Sequence, residues 1–570
     1  MKNSEVAELL YEIADYLEIK DVEWKPRAYR RAAGTIETHS EPIEDVYERG
    51  ELAKIPGIGE SIAEKIADYL ETGSIEYLEG LREDVHEGLR DLMNVEGIGP
   101  KTAQKLYMEL EITSIDELEK AAKDQKIREL EGFGEKSEED ILRNIKMHRS
   151  HQERFLLGYK LRDAEEIVKI LKNRENISRV NLAGSIRRRK ATIGDIDILI
   201  TIDGNHDEVM DFFTSMEQVD IVISRGERKG TVVLENGVQA DLMIIAPETY
   251  GAALQYFTGN KQHNIKLRNI ALEKNWKLSE YGLIDRENED LIAGESEEQI
   301  YKALDLVYIE PELRTDRGEI DAAREGRLPE LIAYDSLKGD LHTHSKWSEG
   351  NHSIKEMAER AMEMDYEYIA MTDHSKTLAI AQGLTVEDYR ERQKEIDNVN
   401  EELDFRVLSG TEVEIDSDGK LDLPDSLLKD LDFVIASIHS GFKQSEEKIT
   451  NRILSAISND YVDAIGHPTG RLLLKRDQYD VNLDKIYEAA EERGVSLEIN
   501  AFPTRLDLPD TEIQKAKEFN IKFALGTDSH NIEHLRFMEF GIANARRGWL
   551  KQKDVLNTMN LREIEDYLNI

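Results

Sequence analysis

Asp195 and Asp197 stand two residues apart in the apolar run DIDILI. In a strand that spacing sends both carboxylates to one face. Asp241, inside the apolar run VQADLMII, offers a third from a neighbouring strand. Three carboxylates on one face suit a pair of Mg²⁺ ions about 3.5–4 Å apart. Such a pair performs phosphoryl transfer, one ion activating an attacking hydroxyl and the other holding a triphosphate. Just upstream, Gly184 and Ser185 open a turn whose N–H groups and hydroxyl can grip phosphates, and Arg188 is placed to neutralise a departing pyrophosphate. The plain alternative is a solvent-facing D-x-D of an acidic protein. The G-S turn, the arginine run and a second strand carboxylate weigh against it.

A second set of chemistry-bearing residues lies towards the C-terminus. Of the 14 histidines, eight follow residue 335, and six of those sit in short motifs: GDLHTHSKWSEG (His342, His344), MTDHS (His374), ASIHSG (His439), AIGHPTG (His467) and GTDSHN (His530). Glu412 in SGTEVEI and Asp528 join them. His374, Glu412, His439, His467 and Asp528 each follow a short apolar run, the C-terminal end of a predicted strand, where α/β barrels place their chemistry. Imidazole and carboxylate without thiolate suit Zn²⁺, Mn²⁺ or Fe²⁺. One histidine at a strand end is unremarkable; six converging ones point to a metal centre.

The elements that must position these groups can be read from periodicity. The first quarter holds three Gly-x-Gly turns, each followed by a helical pattern: IPGIGESIAEKI, VEGIGPKTAQKL and LEGFGEKSEEDIL. Gly57, Gly59, Gly97 and Gly99 belong to the first two, whose uncovered N–H groups beside a helix N-terminus suit a phosphate. The third is acidic and reads as a structural turn. From about Arg179 the texture becomes β-rich; residues 251–311 read as acidic and mostly helical. Residues 312–336 lack an apolar stripe and read as a connection, and from Lys338 short strands alternate with charged helices, the pattern of a barrel-like domain.

With 75 Lys+Arg against 117 Asp+Glu, the formal net charge is −42, which argues against nucleic acid as a partner unless contacts come from local basic clusters and backbone N–H groups. An acidic surface also fits a salty cytoplasm, where attraction to phosphate is screened anyway. No apolar run approaches the roughly 20 residues that span a bilayer. The N-terminus is an amphipathic helix rather than a signal peptide, and the absence of cysteine excludes disulfides and thiolate metal sites. A cytoplasmic, nucleoid-associated monomer is the expectation.

The stretch LAGSIRRRKATIGDIDILI resembles the nucleotidyltransferase palm of family X DNA polymerases, and YGAALQYFTGNKQHNIKLRNIALEKN resembles that family's thumb entry. KPRAYRRAAGTI with IPGIGESIAEKI is similar to its small DNA-end-binding domain. The resemblance implies that Tyr256 and Phe257 pack against an incoming sugar, Gly259 permits the turn beneath it, and Asn264 and Arg268 face the minor groove. Lys65 matches the family's Schiff-base lysine, although a lysine behind a Gly hairpin more often contacts phosphate. Gln239 departs from relatives that carry a basic residue there.

The histidine motifs are similar to the PHP (polymerase and histidinol phosphatase) family. That resemblance implies a distorted β/α barrel with a trinuclear centre and a metal-activated water that attacks phosphorus. His342, His344, Glu412 and Asp528 would hold one ion. His439 and His467 would hold a second with Glu412 bridging, and Glu349, His374 and His530 the third; Glu349 stands where relatives have Asp. The expected organisation is a multidomain α+β and α/β protein. A helical DNA-end-binding domain (1–80) and a fingers-like helical domain (81–150), both helix-hairpin-helix, precede a palm (151–250) and thumb (251–315). A linker (316–337) and a barrel (338–570) follow. The expected function is filling of gapped or nicked DNA with dNTPs in base excision repair. Alongside it come 3′–5′ exonuclease and 3′-end phosphoesterase chemistry in the barrel, with abasic-site cleavage as a further activity. Two rivals are a small-molecule phosphatase with a vestigial polymerase half and a non-catalytic DNA-end scaffold.

Overall fold

The computed structural model describes residues 2–37, 41–93, 95, 97–152, 154–376 and 383–570. The chain begins with helices. Asn3–Ile19 buries Val6, Leu10, Ile13 and Leu17, the i, i+4, i+7 stripe of an amphipathic helix, against Lys25–Glu37 and the helices that follow. In each of the three glycine turns the first glycine is left-handed, with φ of +91° at Gly57, +85° at Gly97 and +84° at Gly132. Gly59 and Gly99 then cap the helices Glu60–Thr72 and Pro100–Leu110. In the third turn Glu138 is buried and accepts from the N–H groups of Ile127 and Arg128 and from Arg128 Nε, which agrees with a structural role.

The palm is a five-stranded sheet of β1 (Ile177–Leu182), β2 (Asp195–Ile202), β3 (Val219–Arg225), β4 (Lys229–Leu234) and β5 (Gln239–Ile244), in spatial order β1-β2-β5-β4-β3. Only β2 and β5 run parallel. Along β2, buried Ile196 and Ile198 alternate with Asp195 and Asp197, so one face packs on the helix Leu157–Lys172 while the other presents the carboxylates.

The thumb differs from the helical expectation. Between Lys261–Glu273 and Glu297–Ala303 it folds a three-stranded antiparallel sheet, β6 (Trp276–Ser279), β7 (Gly282–Asp285) and β8 (Leu291–Ala293). Strands of three or four residues broken by charged turns are too short to display a period of two. The stretch read as a connection is packed: Arg314 is fully buried, and Ile320 and Ile332 join hydrophobic clusters.

The last domain is a barrel of seven parallel strands in sequence order: β9 (Gly339–Thr343), β10 (Tyr368–Met371), β11 (Arg406–Glu414), β12 (Phe433–Ser437), β13 (Ala464–Ile465), β14 (Ser496–Asn500) and β15 (Phe523–Gly526). It closes where Asp528 N donates to His342 O at 2.9 Å and His344 N to Ser529 O at 2.8 Å. Gly526 permits that closure, since a Cβ there would lie 2.3 Å from the Cβ of His342.

Palm, thumb and connection meet at Glu297, whose carboxylate is 4% exposed and takes Arg187 Nη1 at 2.9 Å, Arg187 Nη2 at 2.6 Å and Arg314 Nη1 at 2.6 Å. Burial alone would raise this carboxyl, but Arg314 and Arg187 hold it down at about 2. A group depressed in this way stabilises the fold fully above its ordinary value of 4.5 and loses that contribution as pH falls towards about 2. Glu297→Gln strands Arg314 without a counter-charge and is expected to destabilise the palm–thumb unit by about 3 kcal/mol at neutral pH. Urea unfolding of that unit should show the difference, shrinking as pH drops below 4.5.

Candidate functional sites

In the palm, parallel register sets Asp197 directly beside Asp241, with Asp195 beside Gln239. Burial, then Asp195 and Asp241, push the Asp197 carboxyl up to about 7. Negative charge crowded this closely calls for a cation. Lys229 supplies one from the edge, its Nζ 2.8 Å from Asp241 Oδ2, and Gln239 Nε2 donates to Asp241 Oδ1 at 3.1 Å. Gly184 is left-handed (φ +59°) beneath this cluster, and a Cβ there would fall 2.2 Å from Asp197 Oδ2. Ser185 follows in the short helix Gly184–Arg187.

Arg188 is half-buried; its guanidinium donates to the carbonyl of Thr258, and burial and then Arg547 bring it down to about 10. Gly259, left-handed at φ +65°, lies against Arg188, 3.2 Å separating Nη1 from where a Cβ would stand. Tyr256 and Phe257 meet edge-to-face at 5.2 Å, with Tyr256 exposed. Asn264 is turned inward, donating to Tyr256 O and accepting from Gln255 Nε2, while Arg268 has no ion pair among the described residues. Lys65 is bonded to Ser61 and lies over the ring of Tyr77 at 4.9 Å. A Cβ at Gly59 or Gly99 would meet nothing within 4 Å, so the helix N-termini they cap are open to an approaching phosphate.

The barrel brings its ligand-type residues to one end. Glu412 lies within β11 rather than after it and is 1% exposed. Its Oε2 lies 3.3 Å from His342 Nε2, 3.7 Å from His344 Nε2 and 3.0 Å from His374 Nδ1; its Oε1 lies 3.1 Å from His439 Nε2 and 2.9 Å from His467 Nε2. Asp528 Oδ1 is 3.3 Å from His344 Nε2, and Glu349 Oε1 joins His374 Nε2 at 3.1 Å to His530 Nε2 at 2.7 Å. His342, His344, Glu412 and Asp528 offer ligand atoms all within 4.8 Å of one another; so do His374, Glu412 and His439, and so do His344, His374 and His530. His467 (φ +27°) and Asp528 (φ +53°) hold strained left-handed conformations, as happens where a site dictates the backbone.

The donor set fits metal ions. Buried Glu412 Oε2 has no hydrogen-bond partner although three imidazole nitrogens surround it, and His344 Nδ1 and His467 Nδ1 are likewise unsatisfied. Burial and neighbouring histidines push His344 down to about 3, and burial with Arg505 does the same to His467. Against burial, Glu412 and Glu414 push His439 up to about 9. Opposed electrostatic demands of this kind around one buried carboxylate suit residues that share cations.

Four family descriptions match the chain: a helix-hairpin-helix domain over residues 1–75, a SAM-like helix-hairpin-helix tandem over 89–147, the DNA polymerase beta thumb over 253–315 and the PHP domain over 340–502. Among curated proteins, the DNA polymerase/3′-5′ exonuclease PolX of Bacillus subtilis (strain 168) is 39% identical over 572 residues, covering 100% of this chain and 99% of the relative. The chain belongs to the family X DNA polymerases that carry a C-terminal PHP domain. The barrel is also similar to probable phosphatases. One from Thermoanaerobacter sp. (strain X514) is 34% identical over 241 residues, 40% of this chain and 93% of the relative. Another, from Caldanaerobacter subterraneus subsp. tengcongensis, is 34% identical over 202 residues, 34% of this chain and 75% of the relative.

In this family X chain a second layer of residues braces the candidate ligands of the barrel. Glu498 holds His342 Nδ1 at 2.5 Å and accepts from His467 N; Glu414 holds His439 Nδ1 at 2.7 Å. Buried Asp373 ties the Ser345 turn to Arg392, and Arg505 reaches Asp528 with Nε at 3.4 Å. The E-x-E of TEVEI was the available sign: spacing of two puts Glu414 on the same side as Glu412. Glu498→Gln keeps every candidate ligand, and calorimetric titration with Mn²⁺ alone should show the barrel's affinity reduced about 10- to 100-fold. Chelation by EDTA should lower the barrel's melting temperature, and Mn²⁺ should restore it.

Proposed function

We propose that the protein fills short gaps in DNA at the palm carboxylates and hydrolyses 3′ ends at the PHP centre. One observation carries this reading: a single chain holds two separate clusters of residues suited to cations, one beside the left-handed turn at Gly184 and one in the barrel. In the palm, Asp195, Asp197 and Asp241 hold the cations, and Gly184 and Ser185 receive the triphosphate. Arg188 offsets charge on the departing pyrophosphate, and Tyr256, Phe257 and Gly259 shape the floor beneath the incoming sugar. Divalent cations held by these residues, Mg²⁺ in the palm and Mn²⁺ or Zn²⁺ in the barrel, would supply activation of a hydroxyl or water and charge neutralisation at phosphorus.

In the barrel, His342, His344, Glu412 and Asp528 form one ligand group, and His439 and His467 share Glu412 in a second. Glu349, His374 and His530 form the third. The helix-hairpin-helix turns at Gly57, Gly59, Gly97 and Gly99 hold the DNA backbone through N–H groups, which needs little positive side-chain charge. Lys65 contacts phosphate beside the first turn, and Asn264 and Arg268 reach the minor groove once the thumb closes. The substrates are gapped or nicked DNA and dNTPs, and the setting is base excision repair in the cytoplasm, at the nucleoid, as a monomer. Likeness of the barrel to probable phosphatases supports 3′-phosphate removal beside exonucleolytic trimming, with cleavage at abasic sites as a further reaction.

Extension of a labelled primer across a one-nucleotide gap tests the assignment. Asp195→Ala/Asp197→Ala should lose extension by about 1,000-fold or more and keep 3′-end hydrolysis, with His342→Ala doing the reverse. A palm variant that still extends would overturn the carboxylate assignment.

A further inference from the structure

We propose that Arg547, contributed by the PHP barrel, is a positioning residue for the nucleotide-binding turn of the palm. The helix Met538–Arg547 belongs to the barrel, yet its Phe540 packs into the palm core with Leu506 and Phe537. The fit is close: a Cβ on palm residue Gly158 would lie 2.5 Å from Pro503 and 3.2 Å from Phe540. At the end of this helix Arg547 Nη1 donates to the carbonyl of Arg188 at 2.8 Å. That carbonyl lies where the short helix Gly184–Arg187 ends and the chain turns through left-handed Arg189 (φ +51°).

The arginine is fixed at its other end. Arg547 Nη2 meets Asp510 Oδ2 at 2.7 Å, and Arg317 Nη2, from the segment between thumb and barrel, meets the same oxygen at 2.8 Å and the Arg547 carbonyl at 3.1 Å. Burial alone would raise the Asp510 carboxyl, but Arg547 and Arg317 hold it below its ordinary value. Arg547 is 7% exposed, so it acts through the backbone it holds rather than by meeting substrate.

Several basic side chains gather at this turn in a chain of net charge −42. Lys190 is lowered first by burial and then by Arg154, Arg188 and Arg547. Arg188 and Lys190, close together at the turn, suit a polyphosphate. By fixing the Arg188 carbonyl, Arg547 sets the direction of the turn whose N–H groups and guanidinium receive that polyphosphate, so nucleotide affinity in the polymerase half depends on the nuclease half.

This inference rests on the polymerase reading above, and one assay separates the two. Full-length protein with Mg²⁺ is titrated with a single dNTP on one-nucleotide-gapped DNA, and 3′-end hydrolysis is measured on the same preparations. Arg547→Ala should raise the KM for dNTP about five- to tenfold, leave kcat within about twofold, and leave hydrolysis unchanged. Arg547→Lys should recover part of the loss. If Arg547→Ala is insoluble, Arg547→Met, which keeps the aliphatic stem, carries the same expectation. An unchanged KM in a variant that melts like wild type overturns the assignment, as does parallel loss of both activities with a lowered melting temperature. Wild type that fails to extend at all would instead overturn the polymerase reading.

Discussion

A carboxylate 1% exposed, with five imidazoles ranged around it, cannot be left uncompensated, and the barrel is organised about that constraint at Glu412. Taking a charge out of water costs several kcal/mol after relaxation, so its neighbours must return the energy as cations or as protons. Parallel strands in sequence order bring residues able to hold a metal to the same end of the barrel. Glu498 and Glu414 then fix the imidazoles of His342 and His439 through the nitrogens that face away from Glu412. Closure of β9 against β15 follows from the same demand, since it brings His342 and His344 to Asp528.

The palm solves a similar problem by another route. Here only two strands run parallel, and their register alone sets Asp197 against Asp241. The bare backbone of Gly184 leaves room for that pair, and the arginines that follow are tied down in different directions: Arg187 to Glu297, Arg188 to the thumb, and the Arg188 carbonyl to the barrel. A strongly acidic protein can thus hold arginines in fixed places beside its carboxylates. Net charge describes the far field, while a phosphate at a turn responds to the nearest few groups.

The parts legible in the sequence were those in which one residue type recurs at a fixed period. D-x-D in an apolar strand, histidines after apolar runs and G-x-G before a helix each state a geometry by spacing alone. What escaped notice depends on partners distant in the chain. Glu498 and Glu414 look like ordinary strand carboxylates until β9 and β12 arrive beside them. Arg314 sits in a stretch without an apolar stripe, and only Glu297 explains its burial. Glu349, in a turn distant in the chain from either partner, reaches both His374 and His530. The small thumb sheet escaped because its strands are shorter than the period that would reveal them.

The claim that two cation clusters divide the chemistry of one chain is tested most directly by anomalous diffraction at the manganese edge. Crystals would be grown with Mn²⁺, gapped DNA and a non-hydrolysable dNTP. The account predicts manganese within about 2.0–2.3 Å of Asp197 and Asp241 in the palm, and a separate cluster sharing Glu412 in the barrel. Peaks at only one of the two places, or none within bonding distance of Glu412, would contradict it.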